Sequence, residues 1–334
     1  MLRIPFQEVQ SKLADVLRGL AFSEARAELC ARLFAETTCD GVYSHGVNRF
    51  ARFVAMVRNR SVDPAAEPKV VARFGSLQRW DGQRGPGNLN AWAAMEQAVV
   101  LSREHGIGCV AMANTNHWMR GGTYGWQAAD SGVIGMGWTN TMPNVPPWGG
   151  VEPAIGNNPL VIAVPRSMGH VVLDMAMSQF SYGALESYRK RGEILPVDGG
   201  FDAEGKLTRD PAAIEKSQRL LPVGFWKGSG LAVVLDLVAA MVSMGNATHA
   251  IANDSLRETG LSQMFVALNP AALGDLARME QIADEVVESL HRSRAAEEGN
   301  LVRYPGENTV RLREENRKVG LPVEEDVWEE ILRM

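Results

Sequence analysis

The stretch SHGVNRF, residues 44–50, places an imidazole and a guanidinium four positions apart, at His45 and Arg49. If Ser44 caps a helix, the two side chains project from one face. A histidine there can move a proton near neutral pH, and an arginine can grip a carboxylate through two parallel hydrogen bonds. The same pattern also suits a polar helix start in solvent, a metal ligand, or a neighbour of bound phosphate. A guanidinium repels a metal cation, and no regular spacing of His, Asp and Glu accompanies His45, so the reading expects no metal.

Further polar clusters stand among glycines and aromatics. NTNHWMRGGTYGW (114–126) surrounds His117 with Asn114, Asn116 and Arg120, a density of donors suited to an anionic, oxygen-rich ligand. On its own His117 reads more often as a structural histidine hydrogen-bonded in a loop. TNTMPNVPPWGG (139–150) and GNNP (156–159) follow apolar runs, where strand-end loops commonly carry function. In GFWKGSG (224–230), Lys227 among glycines before a helix suits a phosphate, or a turn with a solvated lysine.

The elements that must position these residues are read from periodicity. Helices are expected after Ser23 and Ser44, near 89–104, 181–191 and 229–244, and again from about 271, with Pro305-Gly306 as a break. Strand-like runs occur at 69–74, 109–113, 133–139, 159–164, 171–176 and 263–268. The result is an α/β (α+β) fold in which a central domain, 69–270, is flanked by a helical one built from 1–68 and 271–334.

The string GIGCVA (106–111) resembles a dinucleotide fingerprint, but a helix precedes it and a strand follows, the reverse of what that motif requires. Gly106 reads instead as a helix C-cap.

Composition narrows the classes. Of 334 residues 46% are hydrophobic and 22% charged, as in globular proteins, and a net charge of −5 argues against a general nucleic-acid binder. Three cysteines without a CxxC pair fit a reducing, cytoplasmic setting. The first residues lack a signal-peptide core, and LAVVLDLVAAMVSM (231–244) contains Asp236, is short for a bilayer, and reads as a buried helix, so no membrane is expected.

Taken in order, SHGVNRF, NHWMRGGTYGWQAA, WTNTMPNVPPWG, NNPL, DMAMSQFSYG, LPVDGGFDAEG and GFWKGSGLAVVLD resemble the malate/L-lactate dehydrogenase family that is unrelated to Rossmann-fold lactate dehydrogenases. The likeness runs from the first helix to VWEEILRM at 327–334. It implies a homodimeric reductase of 2-oxo acids, a 2-oxo sugar acid first among them, with a non-Rossmann nicotinamide-binding mixed sheet. NADH is the implied cofactor, with NADPH tolerated. By motif match, His45 is the proton donor, Arg49 holds the substrate carboxylate, and His117 and Arg120 line the same pocket. Thr141 falls beside substrate or cofactor. His170, Val171, Val172, Leu173, Asp174, Met175 and Ala176 match a cofactor-contacting strand, with Asp174 a candidate partner for ribose hydroxyls. Trp226-Lys227 and Gly306-Glu307-Asn308 match two further cofactor segments. Sister activities on malate, lactate, ureidoglycolate or cyclic imino acids are the alternatives within the family, and a non-catalytic sugar-acid binder is the alternative outside it.

Overall fold

Two bodies of apolar side chains organise the chain, which the computed structural model describes over residues 1–297 and 300–334. The first follows from helical spacing near the amino end. Val9, Leu13, Val16 and Leu17 lie on one side of the helix Phe6–Arg18 and are buried against the helix Glu24–Cys39. Phe34 meets Phe50 edge-on, ring centroids 5.3 Å apart, and packs on Phe53 as well. Truncating a buried phenylalanine of this kind costs about 3–5 kcal/mol. The strand Leu2–Ile4 pairs antiparallel with Leu321–Val323, and Trp328 and Ile331 from the last helix join the same core. The helix Leu276–His291 stands apart from it, tied to the sheet's far edge by Arg166–Asp284 and Ser167–Glu280 contacts.

The second body is a seven-stranded sheet in the order Lys69–Phe74, Leu77–Asp81, Ile107–Asn116, Thr259–Leu268, Ile134–Thr139, Leu160–Val164, Val171–Met175. All neighbours are antiparallel except Leu77–Asp81 with Ile107–Asn116, whose parallel pairing is bridged by the helix Gly87–His105. Alternation along the strands sends Val110, Met112, Phe265 and Ala267 into a core with the helices Gly87–His105 and Gly122–Asp130. Ala111 and Met264 face the opposite way, toward Ala239 of the helix Trp226–Ser243. Gly106 caps the helix Gly87–His105 in the left-handed region (φ 81°) and the strand starts directly after it, so the helix-then-strand reading of GIGCVA is correct.

Three expectations are revised. The strand Leu77–Asp81 was hidden because only a two-residue turn separates it from its partner. The helix Gly122–Asp130 begins inside a segment whose glycines look loop-like, yet those glycines let it sit tight on Asp174 and Val161. The helix Trp226–Ser243 is not buried in this chain: Val234, Leu237 and Met241 are exposed along one face.

Candidate active site

The segment bearing His45 does not begin a helix. After Glu24–Cys39 ends, the chain makes two short 3-10 turns, Tyr43–His45 and Val47–Arg49, before the helix Phe50–Arg58. Gly46 separates them with φ −94° and ψ −134°, and a Cβ there would fall 2.1 Å from Thr38 Oγ1. That hydroxyl accepts a hydrogen bond from Val47 N at 2.8 Å, which holds the kink. Ser44 is therefore no N-cap, and His45 and Arg49 do not share a helix face. They open instead onto two adjoining cavities. His45 lines one of about 420 Å³ and Arg49 one of about 770 Å³, with Ser44 on the wall of both.

His117 is carried to the first cavity by the end of the strand Ile107–Asn116. The His45 and His117 rings stack with centroids 5.7 Å apart and planes 24° from parallel. Met119 N donates to His117 Nδ1 at 3.0 Å, so the neutral ring carries its proton on Nε2. Ser44 Oγ lies 2.9 Å from His45 Nδ1, which leaves Nε2 as the working atom of that ring. Burial, followed by the neighbouring Arg49 cation, pushes His45 down to about 4. His117 lies well below its ordinary value for the same two leading reasons. Both imidazoles are consequently neutral at pH 7.

Arg120 reaches the cavity, but its charge is spent. Its Nη1 bonds Asp40, while Nε lies 3.9 Å from Asp174 and has no hydrogen-bond partner among the described residues. Asp40 also accepts from Arg313 Nε at 2.6 Å and Nη2 at 2.7 Å. One buried carboxylate thus links the end of Glu24–Cys39, the loop after His117, and the helix Glu307–Val319. Thr141 lines the cavity as well, its hydroxyl donating to Asn157 Oδ1 at 3.0 Å.

Of the segment 170–176, Val172, Leu173, Asp174 and Ala176 reach the cavity, whereas Val171 and Met175 do not line it. His170 is engaged elsewhere, with Asp130 Oδ1 at 3.0 Å and with Arg166 N. The Asp174 carboxylate lines the cavity and accepts from Gly122 N at 2.8 Å through one of its oxygens. Gly306 lines the cavity with Pro305 and Thr309, whereas Glu307 pairs with His291 and Asn308 accepts from Arg311. Trp226 and Lys227 stand exposed at the start of their helix and line neither cavity.

The first cavity suits a flat, half-polar ring. Val172, Leu173, Met119 and Trp126 provide apolar walls, and two imidazoles and Thr141 add polar groups to the lining. A Cβ on Gly306 would meet Val172 N at 3.1 Å and His170 O at 3.3 Å, so glycine keeps the groove along this strand open. A nicotinamide fits such a slot. Sequence reasoning missed Asp40, Arg52 and Glu258. Asp40 stands four residues before Ser44, yet its partners lie 80 and 273 residues away, where no local pattern could show them.

The malate/L-lactate dehydrogenase family profile matches residues 4–332. The 2,3-diketo-L-gulonate reductases of Citrobacter koseri and Salmonella agona are each 44% identical over 330 residues, covering 99% of this chain and 99% of theirs. Among solved structures, sulfolactate dehydrogenase from Methanocaldococcus jannaschii superimposes with a TM-score of 0.91 at 26% identity, covering 99% of this chain and 95% of that one. Malate dehydrogenase from Pyrococcus horikoshii gives 0.90 at 26%, covering 99% and 94%. Fold and site therefore define an oxidoreductase acting on CH–OH groups with a pyridine nucleotide, outside the Rossmann class. The chain belongs to the malate/L-lactate dehydrogenase family.

Proposed function

We propose that this enzyme reduces a 2-oxo sugar acid, 2,3-diketo-L-gulonate, to 3-dehydro-L-gulonate, using NADH in preference to NADPH. The substrate comes from the full-length likeness to reductases of that name. What carries the chemistry is the stacked pair of imidazoles on the wall of the first cavity, which shares Ser44 with the cavity that Arg49 lines. Bound reduced nicotinamide supplies the hydride. The protein supplies everything else: position, charge and the proton.

In this reading Arg49 holds the substrate carboxylate at the cavity junction and turns the carbonyl toward His45. His45, protonated once the bound carboxylate offsets the Arg49 charge, gives its Nε2 proton to the growing alkoxide and returns to the neutral ring, while His117, held as its Nε2–H form, donates a hydrogen bond beside it. Val172, Leu173 and Gly306 bind the nicotinamide portion. The decisive assay is loss of nicotinamide absorbance with a panel of 2-oxo acids, 2,3-diketo-L-gulonate included, and each cofactor. Consumption of NADH with that acid above all others is expected, and no consumption with any acid sinks the reading in favour of a binder.

Two consequences follow from the charges. Lysine at Arg49 cannot reproduce a two-point grip, so R49K should raise KM roughly tenfold or more while turnover falls less. An unchanged KM removes Arg49 from the carboxylate. A carboxylate arriving beside Arg49 also offsets one of the cations that hold His45 near 4, and so raises its pKa. Binding of an unreactive acid such as oxamate should therefore draw protons from solution at pH 5–6, seen as a buffer-dependent binding enthalpy. Identical enthalpies across buffers would show that His45 does not sense the substrate.

We read the open apolar face of Trp226–Ser243 (Val234, Leu237, Met241) as covered by a second copy, making a homodimer. Sedimentation should give a dimer for the wild type and a shift toward monomer for Leu237→Glu. A wild-type monomer refutes it. The three separate free thiols accord with work in a reducing, cytoplasmic compartment.

A further inference from the structure

The larger cavity carries an unusual balance of charge. Its wall includes Arg49 and Arg52 together with Glu186, Arg189, Lys190, Arg191, Glu215 and Glu324. Most of these neutralise one another or a near neighbour: Arg189 with Glu215 at 2.6 Å, Lys190 with Glu186 at 3.2 Å and Glu324 at 3.3 Å, Arg191 with Glu193 at 2.9 Å. Arg49 and Arg52 are left. The carboxylate that acts on both is Glu258, which does not itself line the cavity but lies buried 3.9 Å from Arg49 Nη2, 4% exposed. Asp254 also acts on Arg52, but it is half exposed and paired with Arg257. Arg52 spends its Nε on Ser255 O at 3.0 Å, and its two Nη groups make no hydrogen bond among the described residues. Helix geometry sets it one turn beyond Arg49, on the wall of the same cavity.

We propose that Arg52 and Glu258 select the substrate: two guanidiniums against one carboxylate balance a single acid group on Arg49, Arg52 binds neutral oxygen at C3 or beyond, and Glu258 repels a second carboxylate. The site then takes monoanionic, oxygen-rich 2-oxo acids and disfavours dicarboxylic ones. This rests on the reading that Arg49 holds the acid group of a 2-oxo acid. Burial makes the discrimination effective, because an uncompensated negative charge in this cavity lacks the solvent screening it has outside.

The test compares pyruvate, hydroxypyruvate and oxaloacetate as substrates of the wild type, Glu258→Gln and Arg52→Gln, with melting temperatures to show that each variant is folded. In the wild type, kcat/KM should rank hydroxypyruvate first. Glu258→Gln should raise the oxaloacetate-to-hydroxypyruvate ratio by about tenfold or more, the scale of removing one like charge from a partly buried site. Arg52→Gln should bring hydroxypyruvate down to the level of pyruvate through KM. Ratios that stay the same in both variants overturn the proposal, and if one variant does not fold the other decides. Should the wild type consume NADH with none of these acids and not with 2,3-diketo-L-gulonate either, the reductase reading falls by itself. The charge rule is then judged by calorimetric binding of oxamate against oxalate. A wild-type preference for the monoanion that Glu258→Gln lessens upholds it, and equal binding overturns it.

Discussion

Alanine in place of His45 should lower turnover by ~10²- to 10⁴-fold while NADH binding changes little, the range expected for loss of a positioned general acid. The ring is partly buried, its Nδ1 is oriented by Ser44, and its face rests on His117, so removing it deletes one proton-transfer atom and leaves the groove along Val172–Asp174 in place. Turnover and cofactor affinity should therefore separate. The measurements are single-turnover rates and a fluorescence titration with NADH. Near-normal turnover in His45→Ala would move the donor role to His117, the other imidazole at the same end of the cavity.

A second large effect is expected from Asp40→Ala, and it is structural. Burial alone would raise the Asp40 carboxyl, but the guanidiniums of Arg313 and Arg120 outweigh that and hold it below the ordinary value. Removing the carboxylate takes from Arg313 and Arg120 the counter-ion they share, leaving Arg120 only the more distant Asp174, at a cost of about 3–5 kcal/mol for breaking a buried pair. Urea denaturation measures it. A loss under ~1 kcal/mol, the size of an ordinary surface change, would mean that the cluster relaxes onto Asp174 or water. The sign with pH follows from the lowered pKa. The contribution is complete above the unfolded carboxyl's value of about 4 and is lost as pH falls through the folded value, so the variant should lack that part of the acid dependence.

Legibility in the sequence followed the range of the forces involved. The strands at 69–74 and 160–164 and the helix at 182–191 were readable because alternation and helical spacing are local. The two imidazoles were readable as residues, since histidines beside arginine, asparagine and glycine stand out from their surroundings. The kink at Gly46 was not, because its cause is the close approach of Thr38 from the preceding helix. Nor was the charge state of His45, which depends on burial and on Arg120 and Arg52 as well as Arg49. Helical spacing alone put His45 and Arg49 on one face, and tertiary packing divided them between two cavities. Asp40 and Glu258 carry no local signature, as their meaning comes entirely from distant partners.

The pairing of Leu2–Ile4 with Leu321–Val323, reinforced by Arg3 Nη1 donating to Asn316 at 2.7 Å, has a consequence for biosynthesis. At ~5–20 residues per second the interval between making the first strand and making its partner is on the order of tens of seconds. Throughout it the opening strand has an unsatisfied edge, Asp40 lacks Arg313, and the groove lacks Gly306. The nascent chain therefore emerges with both histidines but no enzyme. Chaperones that shield exposed edges should bind this intermediate, and catalytic competence should arrive only with the last helices.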